Sequence, residues 1–355
     1  MAAVNADQLD DLVALTFNTV LGRRTWTDIS LANQHYTISP RFFRGKKLPT
    51  DSGPRMEWKL QVRNQANTRL TALFDRDRLG IQNLMITGKA DWAMVTTNYS
   101  YDVGEPDFQS DDQAKIVDSL LTREHSMYNE WFEFLESKLW SSPATSTGLH
   151  DILGIPHWIV KNATVGFNGG NPSGWSSGAG EVSSTTYDKW RNRSGAYVGV
   201  TRDDLITKAL NSMDFCNFRP PHAYPQTNGM MDPVYALYTT HVIVEQLLRY
   251  LDSKNDNIRD AAGVAASGTA PMLRGTPVEW VPELSNAGQP AVDTSNPFYG
   301  VDWNSMKLRF LRGKEMNRQG PLPVAGQRNV RAVHVESSLQ LVCTNRRTNF
   351  VHHQA

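Results

Sequence analysis

Net charge is missing from this chain: 36 Lys and Arg are matched by 36 Asp and Glu over 355 residues. A basic excess marks chains that wrap nucleic acid through backbone contacts, and an acidic excess marks disordered acidic tails. Balance excludes both as the main role. Lysine is itself scarce, at 12 against 24 arginines. Cysteine is nearly absent, and Cys216 and Cys343 match no metal or redox spacing, so two reduced, buried thiols are expected. No long apolar run occurs either. The most apolar window, Val234 to Leu251, holds His241, Glu245 and Arg249 and is not a membrane span. The start of the chain lacks a basic stretch followed by an apolar one, so no signal peptide and a reducing, aqueous setting are expected.

What is present describes a folded protein, with 40% hydrophobic and 20% charged residues. At 39.8 kDa, about three quarters of the unfolded surface can be buried, so a large core forms without staples. The length suggests about two domains. A chain near zero net charge has little self-repulsion, and arginine is favoured over lysine at interfaces for its planar, bidentate fork.

Periodicity organises the chain as mixed α+β with long extended excursions. Leu9, Leu12, Val13, Thr16 and Val20 share a stripe and predict a short helix over residues 7–21, followed by an extended arm to Gly53. Met56, Trp58, Leu60 and Val62 alternate with charged and polar residues, which predicts a strand; a second strand is expected over Ala90 to Val103, with a solvated excursion between. Ser110-Asp111-Asp112-Gln113 fits a capping box and opens a long helix to about Trp140, with Ile116, Leu120, Met127, Trp131, Phe134, Leu135 and Leu139 on one face. Residues 162–186 are a Gly/Ser/Asn/Thr tract without apolar periodicity, read as a loop or flexible excursion. Helices are expected over Thr201–Met213, with Thr201 capping, and over Thr240–Leu251. Short strands are expected at Met272–Arg274 and Val278–Val281, and a final pair at Val330–Val335 and Leu339–Cys343.

No constellation supports catalysis, and no cofactor or metal is implied. Gly174-Trp175-Ser176-Ser177-Gly178 matches the nucleophile-elbow spacing, but that device needs an apolar strand feeding the serine and a helix leaving it, and neither is expected here. A hydrolase built on Ser176 is therefore a distant alternative. Gly169 and Gly174 have phosphate-loop spacing with Trp175 where a lysine must stand. His150 and His157 flank Asp151 beside Gly154 and Pro156, which reads as a loop with two satisfied histidines. His352-His353 reads as a solvated tail. Basic and aromatic residues cluster at Trp190-Arg191-Asn192-Arg193 and at Arg346-Arg347; in a neutral chain such clusters favour subunit contacts over nucleotide stacking.

Four segments together resemble the major capsid proteins of tailed bacteriophages, the Hong Kong 97-type shell fold. They are Tyr187-Asp188-Lys189-Trp190-Arg191-Asn192-Arg193-Ser194-Gly195, continuing through Val200-Thr201-Arg202-Asp203-Asp204-Leu205-Ile206 to Phe218-Arg219-Pro220-Pro221; Arg274-Gly275-Thr276-Pro277-Val278-Glu279-Trp280-Val281-Pro282; Asn296-Pro297-Phe298-Tyr299-Gly300-Val301-Asp302-Trp303-Asn304; and Leu341-Val342-Cys343-Thr344-Asn345-Arg346-Arg347. The resemblance covers roughly residue 50 to the C-terminus.

The resemblance implies an N-terminal helix and arm over 1–50, an extended E-loop hairpin over 51–107, and a P-domain with its long spine helix and the Gly/Ser-rich excursion over 108–185. An A-domain would follow over 186–290, with a return to the P-domain and C-terminal strands over 291–355. It further implies a structural protein rather than an enzyme, assembling in the host bacterial cytoplasm into a virion capsid of hexamers and pentamers around double-stranded DNA. The DNA would be held by confinement and weak inner-surface contact. Only about 110 residues precede the long helix, too few for a removable scaffolding segment besides the arm and E-loop, so a separate scaffolding protein is expected, with a portal and decoration proteins as further partners and no membrane. Some members crosslink a lysine to an asparagine; Lys46, Lys47, Lys59 and Lys89 lie near the arm and E-loop, and no motif selects one. Candidate inter-subunit contacts are Trp58, Arg63, Trp92, Trp190, Arg191, Arg193, Arg346 and Arg347. An encapsulin-type compartment shell is the nearest alternative.

Overall fold

The computed structural model describes residues 36–42, 47–51, 53–73, 80–81, 83–102, 113–143, 150–217, 234–253, 264–267, 270–285 and 295–355. The expected helix over 7–21, most of the arm, Lys46, the cap at Ser110 and the Phe218–Pro221 segment lie outside these residues. The architecture is α+β. In chain order the elements are β1 (Lys47–Thr50), β2 (Arg55–Gln61), β3 (Met85–Asp91), β4 (Ala93–Asp102), α1 (Gln113–Leu139), β5 (Arg193–Tyr197), α2 (Thr207–Cys216), β6 (Tyr235–Thr239), α3 (His241–Ser253), β7 (Val264–Ser267), β8 (Ala270–Leu273), β9 (Thr276–Trp280), β10 (Phe298–Asp302), β11 (Met306–Leu311), β12 (Asn317–Pro323), β13 (Val330–Cys343) and β14 (Phe350–Gln354).

The chain divides into two compact units. The larger takes residues 35–93, 136–312 and 339–355. Its centre is a seven-stranded sheet in the order β5-β14-β10-β6-β9-β8-β7. The inner strands are buried on both faces, so they read as continuous apolar runs rather than alternations, which is why Tyr235–Thr239 and Phe298–Asp302 carry no period-two signal. On one face, Leu237, Phe298 and Phe350 pack with Leu205, Ile206, Ala209 and Met213 from the α2 region and with Ile243 and Leu247 from α3. On the other, Trp140 stands edge-on to Tyr238 at 5.3 Å and tilted to Tyr299 at 6.0 Å, while Phe42 meets Trp303 edge-on at 5.1 Å. The same unit holds the antiparallel β2–β3 hairpin and a ladder in which β1 runs parallel to β11, and β11 antiparallel to Leu339–Cys343 of β13.

The smaller unit takes residues 94–135 and 313–338 of the described chain. β12 pairs antiparallel with the first half of β13, and β4 also pairs β13. Met127, Trp131 and Leu135 fall four apart on α1 and are buried, with Val333 and Val335 of β13. Phe134, expected on that face, is instead exposed, because a step of three residues from Trp131 carries it to the edge of the stripe.

Several expectations are corrected. The described part of the expected strand, 90–102, belongs to two strands: Trp92 interrupts it, its indole buried and donating to the Gly53 carbonyl at 3.0 Å. The expected pair at 330–343 is one strand of fourteen residues. Glu336-Ser337-Ser338 looks like a turn in sequence, yet Ser337 Oγ accepts from Met316 N at 3.1 Å and Ser338 N donates to Lys314 O at 2.9 Å. Thr201 does not cap the following helix with its side chain; Asp204 accepts from Val198 N and Gly199 N at 2.6 and 2.9 Å. The 162–186 tract is an ordered loop, joined to β5 through paired Gly166 and Ser194 backbone bonds.

Candidate contact residues and the interior polar network

Arg346, a candidate for a subunit contact, is the most deeply buried arginine among the described residues, with no exposed surface. It sits in a short 3-10 turn, Arg346–Thr348, between β13 and β14. Its Nε donates to Trp158 O at 2.7 Å, Nη1 to Trp190 O at 3.1 Å, and Nη2 to Gly170 O at 3.0 Å and Asn192 Oδ1 at 3.1 Å. Every acceptor is neutral. Burial pushes its pKa down to about 10, so the guanidinium remains protonated at neutral pH. A planar fork with five N–H groups can join four acceptors at once, which an ammonium cannot. Three loop segments are thereby fastened to one point.

The neighbouring candidates follow the same logic. Trp190 is buried and its indole donates to Ala179 O at 3.0 Å. Arg193 is buried, donates to Ser212 Oγ at 3.0 Å and lies 4.5 Å from the centre of the Phe215 ring. Trp92 packs with Met56 and Val342. Trp92, Trp190, Arg193 and Arg346 are thus buried within their own fold, each spending its polar atoms or its ring there. The other four keep surface. Trp58 is half-buried, with its ring 6.0 Å from that of Trp158. Arg63 is exposed and lies 5.9 Å from the Tyr187 ring. Arg191 is half-buried and donates to Ser184 O at 2.9 Å; Arg347 is half-buried and lies 4.4 Å from the Phe167 ring.

A second network had no sequence signal. Glu136, in the last turn of α1, is 1% exposed and accepts six hydrogen bonds. Its Oε1 takes Thr37 N at 3.2 Å, Thr37 Oγ1 at 2.9 Å, Ile38 N at 3.0 Å and Trp140 Nε1 at 3.2 Å; its Oε2 takes Ser39 N at 2.9 Å and Ser39 Oγ at 2.5 Å. The carboxylate thus binds the 37–39 turn as an anion binds a backbone nest. Glu136 falls between residues of the apolar stripe, so periodicity alone reads it as helix surface. Glu136→Gln keeps the shape but turns one acceptor oxygen into a donor amide facing other donors. Local opening of residues 37–42 is expected to become easier by about 2–4 kcal/mol, read as faster amide exchange of Ile38 and Ser39. Unchanged exchange there would refute the anchoring role.

His157 and His352 are not solvated, whereas His150 is exposed. His157 has no exposed surface and stands edge-on to Trp175 at 4.8 Å and Trp158 at 5.4 Å, with neither ring nitrogen meeting a hydrogen-bond partner. Burial first, and then nearby Arg346, pushes its pKa down to about 3. His352, expected in a free tail, is buried in β14 with Nε2 2.8 Å from Ser212 Oγ and Nδ1 3.3 Å from Gly195 O. This Ser–His pair is sealed from solvent and has no access for a substrate. Ser176 lies in an exposed turn, fed by no strand and followed only by the three-residue 3-10 turn Ala179–Glu181. Both cysteines are free and buried, and burial pushes each thiol up to about 12. Among the described residues no group of three or more metal-ligating side chains converges, and no helix is long and apolar enough to cross a membrane.

No family model and no curated protein matches the sequence. Solved structures do match the fold. The chain is similar to the capsid asymmetric unit of cyanophage A-1(L), with a TM-score of 0.59 at 13% identity over 96% of this chain and 98% of that one. It is also similar to the capsid of a native GTA particle, with a TM-score of 0.55 at 8% identity over 96% and 98%, and to that of an empty GTA particle, with 0.53 at 10% over 100% and 99%. The fold is the Hong Kong 97-type capsid fold.

Proposed function

We propose that this chain is the major capsid protein of a tailed phage, and that many copies close as hexamers and pentamers into an icosahedral shell around the double-stranded DNA genome. The observation that carries the reading is a fold shared over nearly the full length of both chains with capsid subunits. In this reading residues 51–107, with β2 and β3, form the E-loop, α1 is the spine helix, β5 to β9 with α2 and α3 lie in the A-domain, and β10 to β14 belong to the return to the P-domain and the C-terminal strands. Leu70, Leu73 and Ile81, between β2 and β3, are almost wholly exposed. Apolar side chains presented on an extended excursion suit burial on a neighbouring copy. Trp58, Arg63, Arg191 and Arg347 are the remaining contact candidates. Contacts of the standard size, about 1,600 Å² each, repeated over every copy, hold a shell without any one contact being strong. A neutral chain suits DNA retained by confinement. The role is structural rather than enzymatic, in the virion capsid assembled in the host cytoplasm, with a separate scaffolding protein, a portal and decoration proteins as partners.

Electron microscopy of the expressed protein, with and without its co-expressed scaffold, is expected to show closed particles of uniform diameter in at least one case. Small soluble species in both would overturn the proposal. Portal and terminase genes are expected beside the gene; a cargo peroxidase or ferritin-like gene there would instead favour an encapsulin-type compartment.

A further inference from the structure

An isolated two-stranded hairpin is marginal in water. The β2–β3 hairpin is a separate two-stranded sheet, so whatever it rests on sets its direction. Beneath it lies the Gly/Ser-rich loop, which is itself held firmly. Asn171 Oδ1 accepts from Ser184 N at 2.9 Å and Ser184 Oγ at 2.6 Å, the Trp175 indole donates to Pro143 O at 3.2 Å, and Arg346 holds Gly170. At the loop's apex two consecutive residues are left-handed, Gly180 at φ 66° and Glu181 at φ 57°. Glycine takes this conformation freely, whereas a glutamate does so at a cost, so the strain at Glu181 needs a compensating contact.

The contact is to the hairpin. Glu181 Oε1 lies 3.2 Å from Nη2 of Arg55, the first residue of β2, whose Nε donates to Asp91 at the end of β3 at 2.5 Å. Gly180 sits under two indoles: a Cβ there would stand 3.1 Å from Trp58 and 3.2 Å from Trp158. Across the hairpin, Trp58 faces Gly88, where a Cβ would come within 2.6 Å of the Trp58 ring. Two glycines thus leave the slot that Trp58 fills. Beyond the end of β2, Arg63 reaches over Tyr187 of the same loop.

We propose that residues 170–191 are the seat of the β2–β3 hairpin, and that Gly180, Glu181 and Tyr187 are positioning residues that fix the direction in which the hairpin leaves the body and so the angle at which it meets a neighbouring copy. The second half of this statement rests on the shell reading; the first does not. Glu181→Gly removes the ion pair while suiting the left-handed backbone, and Tyr187→Ala removes the second tie without touching the core. In the unassembled full-length double variant, amides of β2 and β3 are expected to exchange about tenfold faster, with the global unfolding midpoint unchanged. In assembly, it is expected to give particles of mixed diameter where the parent chain gives one. Unchanged hairpin exchange overturns the seat. Faster exchange with parent-like particles overturns the positioning role. A parent chain that forms no particles overturns the shell reading, and the exchange measurement still decides the seat.

Discussion

Arg346→Lys is expected to lower unfolding free energy by about 3–5 kcal/mol, although it preserves the charge. Four neutral acceptors converge on the guanidinium, from Trp158, Trp190, Gly170 and Asn192. A lysine ammonium is a point donor at a different reach and can serve one or two of them, and each buried acceptor left over costs about 1–3 kcal/mol. Arg346→Met removes the buried charge, which is itself expensive to hold, but orphans all four acceptors, so it is also expected to destabilise. The check is chemical denaturation of the unassembled chain at pH 7, reading the midpoint at constant slope. Loss within about 1 kcal/mol for both variants would show that the carbonyls find other donors and that Arg346 is not the fastening point.

Why this arginine read as a surface contact is instructive. Composition rules know that arginine is rarely buried and that Arg/Trp clusters favour interfaces. Trp158 and Arg346 are 188 positions apart, and nothing local marks the carbonyls that satisfy the side chain. His352 near the chain end was misjudged for the same reason, since the bond to Ser212 spans 140 positions. Local patterns with one exposed face were legible. β2 alternates, and α1 repeats its apolar residues every four positions from Met127 to Leu139, so both stand within a few residues of expectation. Strands β6 and β10, covered on both faces, alternate nothing and were missed. The Gly/Ser tract looked unstructured because its order comes from indole, amide and guanidinium donors rather than from apolar periodicity. The fold class itself was reached through whole segments that resemble capsid proteins.

That pattern bears on how such a chain associates. The interior holds Trp92, Trp190, Arg193 and Arg346, which composition assigns to interfaces, while Leu70, Leu73 and Ile81, between β2 and β3, are the most exposed of the large apolar side chains among the described residues. In the shell reading proposed above, these three side chains stand free to be buried on a neighbouring copy.

Acid is expected to destabilise the unassembled chain steeply between about pH 6.5 and pH 4, through two histidines that are neutral only because they are buried. Burial, with Arg346 adding to it, holds His157 down to about 3; burial holds His352 down to about 4, with Gly195 opposing and Arg193 reinforcing. Unfolding returns both rings to about 6.5, so below that pH the unfolded chain binds more protons than the native one. Their contribution is fully present above about pH 6.5 and is lost as pH falls toward the native values, at up to about 1.4 kcal/mol per pH unit for each ring. Together that is about 2.7 kcal/mol per unit, a large share of a typical stability of about 5–15 kcal/mol. Asp302 acts in the opposite sense, since burial raises its pKa and favours the fold as it protonates, while half-buried His353, held down by burial and then by Lys161, acts with the two rings. His157→Phe should keep the aromatic contacts with Trp158 and Trp175, remove one titrating ring, and lower the slope by up to about 1.4 kcal/mol per pH unit without loss of stability at pH 7. Thermal unfolding of parent and variant from pH 7.5 to pH 4 checks this. A flat profile in the parent, or the same slope in both, would refute the assignment of the acid sensitivity to these rings.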